Sequence, residues 1–296
     1  MPRPRALACP DSLKRVLAAR DAADALAEGF AAVGVACDPL PLADGGEGTE
    51  DALHGRLPGD VAVVEAASVI PFDPDRLDVA AHSSRALGEA LARVSASRLY
   101  VGLGGTANMD AGAGLLDVLD ALPAPTTVLC DVRTTLYDAP RVFGPQKGAS
   151  PEQVQELEAS FRADERLAPF ASLPGSGAAG GLGAALAYLG AELVPGAPAI
   201  LDLVAFDPSP YSLVVTGEGR VDATTGVGKA PGEVARRCAA AGVPCVVFGG
   251  VVDAHVEEAE TVALSGDPAR ARADLVDLGT SLGLRLLGQR SLDPAG

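Results

Sequence analysis

Among the 23 lysines and arginines of this chain, only Lys14, Lys147 and Lys229 are lysine. They lie in PDSLK (10–14), FGPQKGAS (143–150) and GVGKAP (226–231), stretches that also carry glycine, acid or hydroxyl groups. Lysine is a compact point charge on a flexible stem and can reach a phosphate from a loop, where arginine offers a planar fork. The placement of all three beside such residues points to an anion site.

The acids fall in similar surroundings. LADGGEGTEDAL (42–53) sets Asp44 and Glu47 among closely spaced glycines, including Gly45 and Gly46. Two carboxylates on a bare loop suit Mg²⁺ or the removal of a hydroxyl proton; a turn with a solvated acidic edge is the plainer alternative. GLGGTANMDAGAG (102–114) offers Gly104 and Gly105 for close backbone approach, Thr106 and Asn108 as donors, and the carboxylate of Asp110. It contains no Walker A sequence and fits the dinucleotide fingerprint poorly. In LPGSGAAGGLGAAL (173–186), Gly180 and Gly181 serve either tight helix packing or a ligand at a helix N-terminus. VVTGEGRVDATTGVGKAPGEVA (214–235) gathers Glu218, Asp222, Thr225 and Lys229 after a strand. Carboxylates, hydroxyls and a lysine at one strand end suit phosphoryl transfer, which needs charge neutralisation and positioning more than covalent help.

Apolar strand candidates alternate with Ala-rich helical segments along the chain. Strands are expected over 6–9, 60–66, 126–131, 211–219, 243–250 and 260–264, with a strand running into a glycine loop over 98–105, and helices over 19–34, 151–165 and 271–287. Ser150 and Pro151 read as N-cap and first residue of the second helix, and Asp131 ends the strand before it. Such alternation implies an α/β fold with a mostly parallel sheet covered on both faces. Ligands of such sheets sit in the loops beyond the carboxyl ends of the strands, and several of these motifs directly follow or precede a strand candidate. PFDPDRLD (71–78) and PGAPAILD (195–202) read as joins between sub-structures. Ser12 reads as a helix N-cap, and the tail SLDPAG as frayed.

Composition narrows the function classes. At 296 residues, 48% hydrophobic and 21% charged, the chain can bury a sizeable core. Aromatics are 4%, so that core must be aliphatic. A net charge of −16 without any basic tract argues against nucleic acid and anionic membranes as partners. Cys9, Cys37, Cys130, Cys238 and Cys245 form no CxxC pair and suit buried thiols in a reducing, cytoplasmic compartment. No apolar run reaches membrane-spanning length. His54, His82 and His255 lie outside the motifs, and there is no GxSxG elbow.

PDSLK, ADGGEGT, GLGGTAxxD, FGPQKGA, GAAGGLGAAL, TGEGRVD and GKAP, in this order, resemble the bacterial glycerate kinase family, over about residues 6–250. The resemblance implies ATP- and Mg²⁺-dependent phosphorylation of D-glycerate. It also implies two α/β domains, one Rossmann-like, with the active site in the cleft between them. The expected division is residues 1–65 with 205–296 as the Rossmann-like domain and 66–204 as the second. Lys14, Asp44, Lys147 and Asp222 occupy the catalytic motif positions, with Asp44 or Asp222 as the base. Gly45, Gly46, Gly104, Gly105, Thr106, Gly180, Gly181, Thr225 and Lys229 line the ligands, and Glu47, Asp110, Asp131 and Glu218 are the Mg²⁺ candidates. The chain departs from the pattern at Arg15 and Val16, which replace Gly and Ser, and at Met109, which replaces Asn. HSSRALGE (82–89) is the nearest counterpart of the family's TTYGTGE. These departures leave two further readings: a relative that binds nucleotide or a small hydroxy acid without turnover, or a kinase for another small hydroxy acid.

Overall fold

The computed structural model describes residues 3–226 and 228–290, so Val227 of the GVGKAP motif and the tail 291–296 lie outside the described residues. It has two parallel sheets and divides into two compact units.

The first unit, Met1–Ala43 with Val204–Gly296, holds five strands: β1 (Arg5–Ala8), β2 (Ala36–Pro39), β7 (Leu213–Val221), β8 (Cys245–Val252) and β9 (Glu260–Ala263). Their order is β2-β1-β7-β8-β9, with every pair parallel. The chain direction across the sheet reverses between β1 and β7. Such a reversal opens a crevice at the carboxyl ends of the two strands, the usual ligand position in an open α/β sheet. The core is aliphatic, as the composition requires, with Phe30 and Phe248 as its large members. Helices Ala19–Ala32 and Ala271–Arg290 pack closely because both carry glycine at the crossing. A Cβ on Gly29 would stand 2.1 Å from the Val276 carbonyl oxygen, and one on Gly279 2.4 Å from that of Leu26.

The second unit, Asp44–Leu203, holds β3 (Val61–Glu65), β4 (Arg98–Gly102), β5 (Thr126–Cys130) and β6 (Glu192–Pro195) in sequential parallel order. β5 is buried throughout, which its TTVLC sequence suits. Leucines and valines from β4, β5 and the flanking helices form one core cluster, and a second gathers Met109, Leu136, Phe161 and Leu167. The helix Pro151–Ala163 starts with Ser150 and Gln153 capping each other reciprocally and with proline at its first turn.

The division differs from the sequence reading in one place. The first boundary falls at 43/44 rather than 65/66, because β3 pairs with β4 and belongs to the four-stranded sheet. The second falls at 203/204, one residue from the expected 204/205. Neither anticipated join is a linker: 71–78 lies inside the second unit, where Pro71 bridges Thr106, and 196–203 is a helix that follows β6. β6 escapes sequence reading because four residues, ELVP, carry too little pattern. Ser12 caps no helix, since the first helix begins at Ala19. The cysteines are free and all but Cys37 are buried. No helix among the described residues is long and apolar enough to cross a membrane.

Candidate functional site

In the first unit, the candidate residues gather where β1 and β7 end. β1 continues in ladder-like contact with β7, through Cys9 N–H to the Val215 carbonyl (2.8 Å) and Asp11 N–H to that of Gly217 (2.9 Å). The chain then folds into a tight loop closed by reciprocal hydrogen bonds between Leu13 and Leu17, with Lys14 exposed at its tip. Arg15, standing where the family pattern has glycine, adopts φ 65°. The left-handed conformation that glycine would take freely is kept by a side chain that finds it costly. Ser12 Oγ is buried there without a hydrogen-bond partner among the described residues.

Glu218, on β7, is buried and accepts a hydrogen bond from Thr225 Oγ1 (2.7 Å) and an ion-paired one from Lys229 Nζ (3.1 Å). Thr225 Oγ1 also accepts from the Asp222 N–H (3.0 Å). Asp222 Oδ1 accepts from both the N–H (2.8 Å) and the hydroxyl (2.5 Å) of Thr224. Those hydrogen bonds, helped by Lys229 and Arg220, hold its carboxyl below the usual range. Glu218 is thus already neutralised by a lysine, which counts against it as a metal ligand. Asp222 is a stabilised carboxylate, which counts against it as a base.

In the second unit, the ADGGEGT loop lies across the carboxyl ends of β4, β5 and β6. Gly45 (φ +100°) presses on β5, where a Cβ would meet the Leu129 carbonyl oxygen at 2.7 Å. Gly104 N–H donates to the Gly45 carbonyl (3.2 Å). A Cβ on Gly104 would lie 2.6 Å from Gly46 Cα and 2.8 Å from Asp131 Oδ2. The glycines therefore let two loops and a carboxylate share one spot. Asp44 is buried and, among the described residues, accepts from Gly46 N–H alone (3.2 Å); Glu47 is exposed beside Gly105. Thr106 is buried in its bridge to Pro71.

Lys147 is 7% exposed, on a turn after the helix Ala139–Phe143, and its Nζ donates to the Asn108 carbonyl (2.9 Å). Burial pushes this ammonium down to about 8, against the opposing pull of Asp131 and Asp110. It is a desolvated charge held by a backbone dipole, with two carboxylates near enough to sustain it.

Two expectations change. Asp110 accepts from Ser83 Oγ, Ser84 N–H and Oγ, Asn108 Nδ2, Gly112 N–H and Gly114 N–H. A carboxylate with both oxygens so occupied is an organiser of its loop, not an open metal ligand. Gly180 and Gly181 are buried in left-handed conformations (φ 63° and 94°) before the regular part of their helix. Side chains there would strike the Asn108 carbonyl oxygen (2.2 Å) and Ala111 Cα (2.7 Å), so these glycines serve packing. Met109 is explained likewise, because its side chain points into the aliphatic core and the amide stands one position earlier, at Asn108. Ser84 was missed; the only signal was its place in HSSRALGE.

Among the described residues, no three His, Cys, Asp or Glu side chains converge as a metal cage. Mg²⁺ rarely needs one: it keeps several waters and binds through one or two carboxylates plus substrate phosphates. Glu47 and Asp131 fit that donor set.

A profile of the glycerate kinase family matches residues 6–69 and 122–266, more than half of the chain. A glycerate kinase from Bacillus subtilis (strain 168) is 32% identical over 320 residues, covering 82% of this chain and 84% of that protein. A glycerate 2-kinase from Escherichia coli (strain K12) is 30% identical over 305 residues, covering 75% and 78%. Among solved structures, one provisionally named glycerate kinase 2, from Salmonella typhimurium LT2, superposes with a TM-score of 0.79 at 27% identity, covering 98% of this chain and all of the other. With the parallel two-sheet fold and the ordered loop motifs, these matches establish that the chain belongs to the glycerate kinase family.

Proposed function

We propose that the protein phosphorylates D-glycerate with ATP, in a cytoplasmic, Mg²⁺-dependent reaction. The observation that carries this reading is Lys147: a buried, positively charged lysine held on a backbone carbonyl, in the unit whose glycine loops bring Asp44, Glu47 and Asp131 to the strand ends. A desolvated ammonium interacts with a phosphoryl group far more strongly than a solvated one does, and costs no reorganisation when charge develops.

In this reading the lysines meet phosphate and carboxylate oxygens. Lys147 does so with its charge uncommitted to an ion pair, and Lys229 while paired to Glu218. Glu47 and Asp131 would hold Mg²⁺, which supplies charge neutralisation on the phosphates when bound. Asp44 is the better of the two candidate bases. Its carboxylate receives one weak hydrogen bond, whereas that of Asp222 is stabilised by two from Thr224. The departures at Arg15 and Met109 favour an active enzyme over a silent relative, because both are absorbed without loss of the local backbone or core.

The test is a coupled ADP-release assay with D-glycerate, ATP and Mg²⁺, run beside Lys147→Ala. Turnover that drops about 10²–10³-fold in the variant is the expected result. Absence of turnover, with ATP still raising the melting temperature, would replace this reading with that of a binding relative. Turnover with a different hydroxy acid alone would replace the substrate.

A further inference from the structure

Lys147 does not hold its position unaided. Its Nζ rests on the carbonyl of Asn108, and the side chain of Asn108 is itself anchored: Nδ2 donates to the Ala179 carbonyl (2.9 Å) and to Asp110 Oδ1 (3.2 Å). Two acceptors around Nδ2 fix which way the amide faces. Its Oδ1 is left buried without a hydrogen-bond partner among the described residues, which is unfavourable, so the surrounding bonds must over-determine this geometry.

Asp110 is anchored in turn by Ser84. The Ser84 N–H (2.7 Å) and hydroxyl (2.8 Å) both donate to Asp110 Oδ2. Ser84 Oγ accepts from Leu115 N–H (2.9 Å), so the direction of its own proton is set. Ser84 is fully buried, and 26 residues separate it from Asp110. Residues 70–121, which include Ser84, Asn108 and Asp110, fall outside the segments matched by the family profile.

We infer that Ser84 is a positioning residue that fixes the Lys147 ammonium through Asp110 and Asn108. Its hydroxyl can be deleted without removing a charge, although the deletion also takes the side-chain acceptor away from Leu115 N–H. Ser84→Ala leaves Asp110 its other donors but removes the shortest side-chain donor on Oδ2, which loosens the carboxylate and shifts the loop 108–112 with it. Ser84→Thr keeps the hydroxyl.

The chain's small lysine inventory supplies a direct readout. Protein labelled with ¹³Cε-lysine gives one signal each for Lys14, Lys147 and Lys229, and Lys147→Arg assigns the middle one. In Ser84→Ala the Lys147 signal is expected to move while the other two stay, and in Ser84→Thr it is expected to return toward its wild-type position. A Lys147 signal that stays in place in folded Ser84→Ala would overturn the inference, as would a joint movement of all three, which would mark a general structural role. Should Ser84→Ala not fold, Ser84→Cys, with its weaker donor, is expected to shift the same signal partway. A second arm rests on the proposed phosphoryl transfer. There kcat is expected to fall about tenfold in Ser84→Ala with a smaller change in KM, the pattern of an interaction made mainly in the transition state. If the wild-type protein does not turn over, the functional reading fails while the spectroscopic arm still decides the role of Ser84.

Discussion

Lys147 and Lys229 enter the sequence as equals, each on a glycine-bearing turn near acids, yet the fold treats them in opposite ways. Lys229 is paired to the buried carboxylate of Glu218, and Thr225 holds that carboxylate from the other side. Lys147 is more deeply buried, rests on a carbonyl oxygen and makes no hydrogen bond to a carboxylate among the described residues. One ammonium is consumed in stabilising its own unit. The other keeps its charge available at an energetic cost, which its depressed proton affinity records. A lysine at a motif position is therefore not by itself an anion binder; its partners decide.

The sharpest way to break this contrast is by stability. Lys229→Met removes the ammonium paired to buried Glu218 and is expected to lower unfolding free energy by about 3 kcal/mol, measured by urea denaturation. Lys147→Met is expected to change stability by under about 1 kcal/mol, because relief of a desolvated charge offsets the hydrogen bond lost at Asn108. Equal losses in the two variants would erase the distinction.

The pH dependence sharpens it. Lys147 has its folded-state value lowered from the ordinary lysine range to about 8. Its contribution to stability is thus present above the ordinary lysine value and is lost as pH falls through about 8. The charge needed for an anion runs the other way. In the free enzyme, kcat/KM for the phosphoryl donor is expected to fall about tenfold per unit above pH 8. Lys147→Arg, which stays charged, should lack that limb; a wild-type profile flat to pH 10 would contradict the environment described for Lys147.

The smallest effect is expected at Arg15. Its φ of 65° suits glycine, so Arg15→Gly should stabilise the first unit by about 1 kcal/mol or less, once the greater freedom of glycine in the unfolded chain is set against the relieved strain. Thermal denaturation would detect it as a small rise in melting temperature. A fall would mean that the arginine side chain contributes more than its backbone costs.

Much of the architecture was legible in the residues. Runs such as TTVLC and LVVTGEG read as strands because each carries an apolar, β-branched stretch, and the structure places β5 and β7 there. Ser150 and Pro151 announced a helix start that the reciprocal cap with Gln153 bears out. The glycine loops fell at strand ends, where an α/β sheet holds its ligands. The unit boundary was not legible: nothing in VAVVE says whether it will pair with β1 or with β4, and only the pairing moves 44–65 into the second unit. Asp110 read as a metal candidate because its donors from Ser83 and Ser84 lie far back in the chain. Gly180 left packing and ligand binding open because its neighbour, the Asn108 carbonyl, is brought in from 72 residues earlier.

The sequence alone determined which groups are available: three lysines among many arginines, acids set between glycines, an alternation of apolar strands with helices, and an ordered set of motifs resembling one family. Those are properties of local spacing, and local spacing controls periodicity, turns and caps. Tertiary structure decided which of those groups remain available once folded. It spent Asp110 on its loop, Glu218 on Lys229 and Gly180 on packing, and left Asp44 lightly bonded and Lys147 desolvated with its charge unpaired. The physical reason is that hydrogen-bond satisfaction and burial are set by neighbours in space, such as Asn108 and Ala179, which are 71 residues apart in the chain.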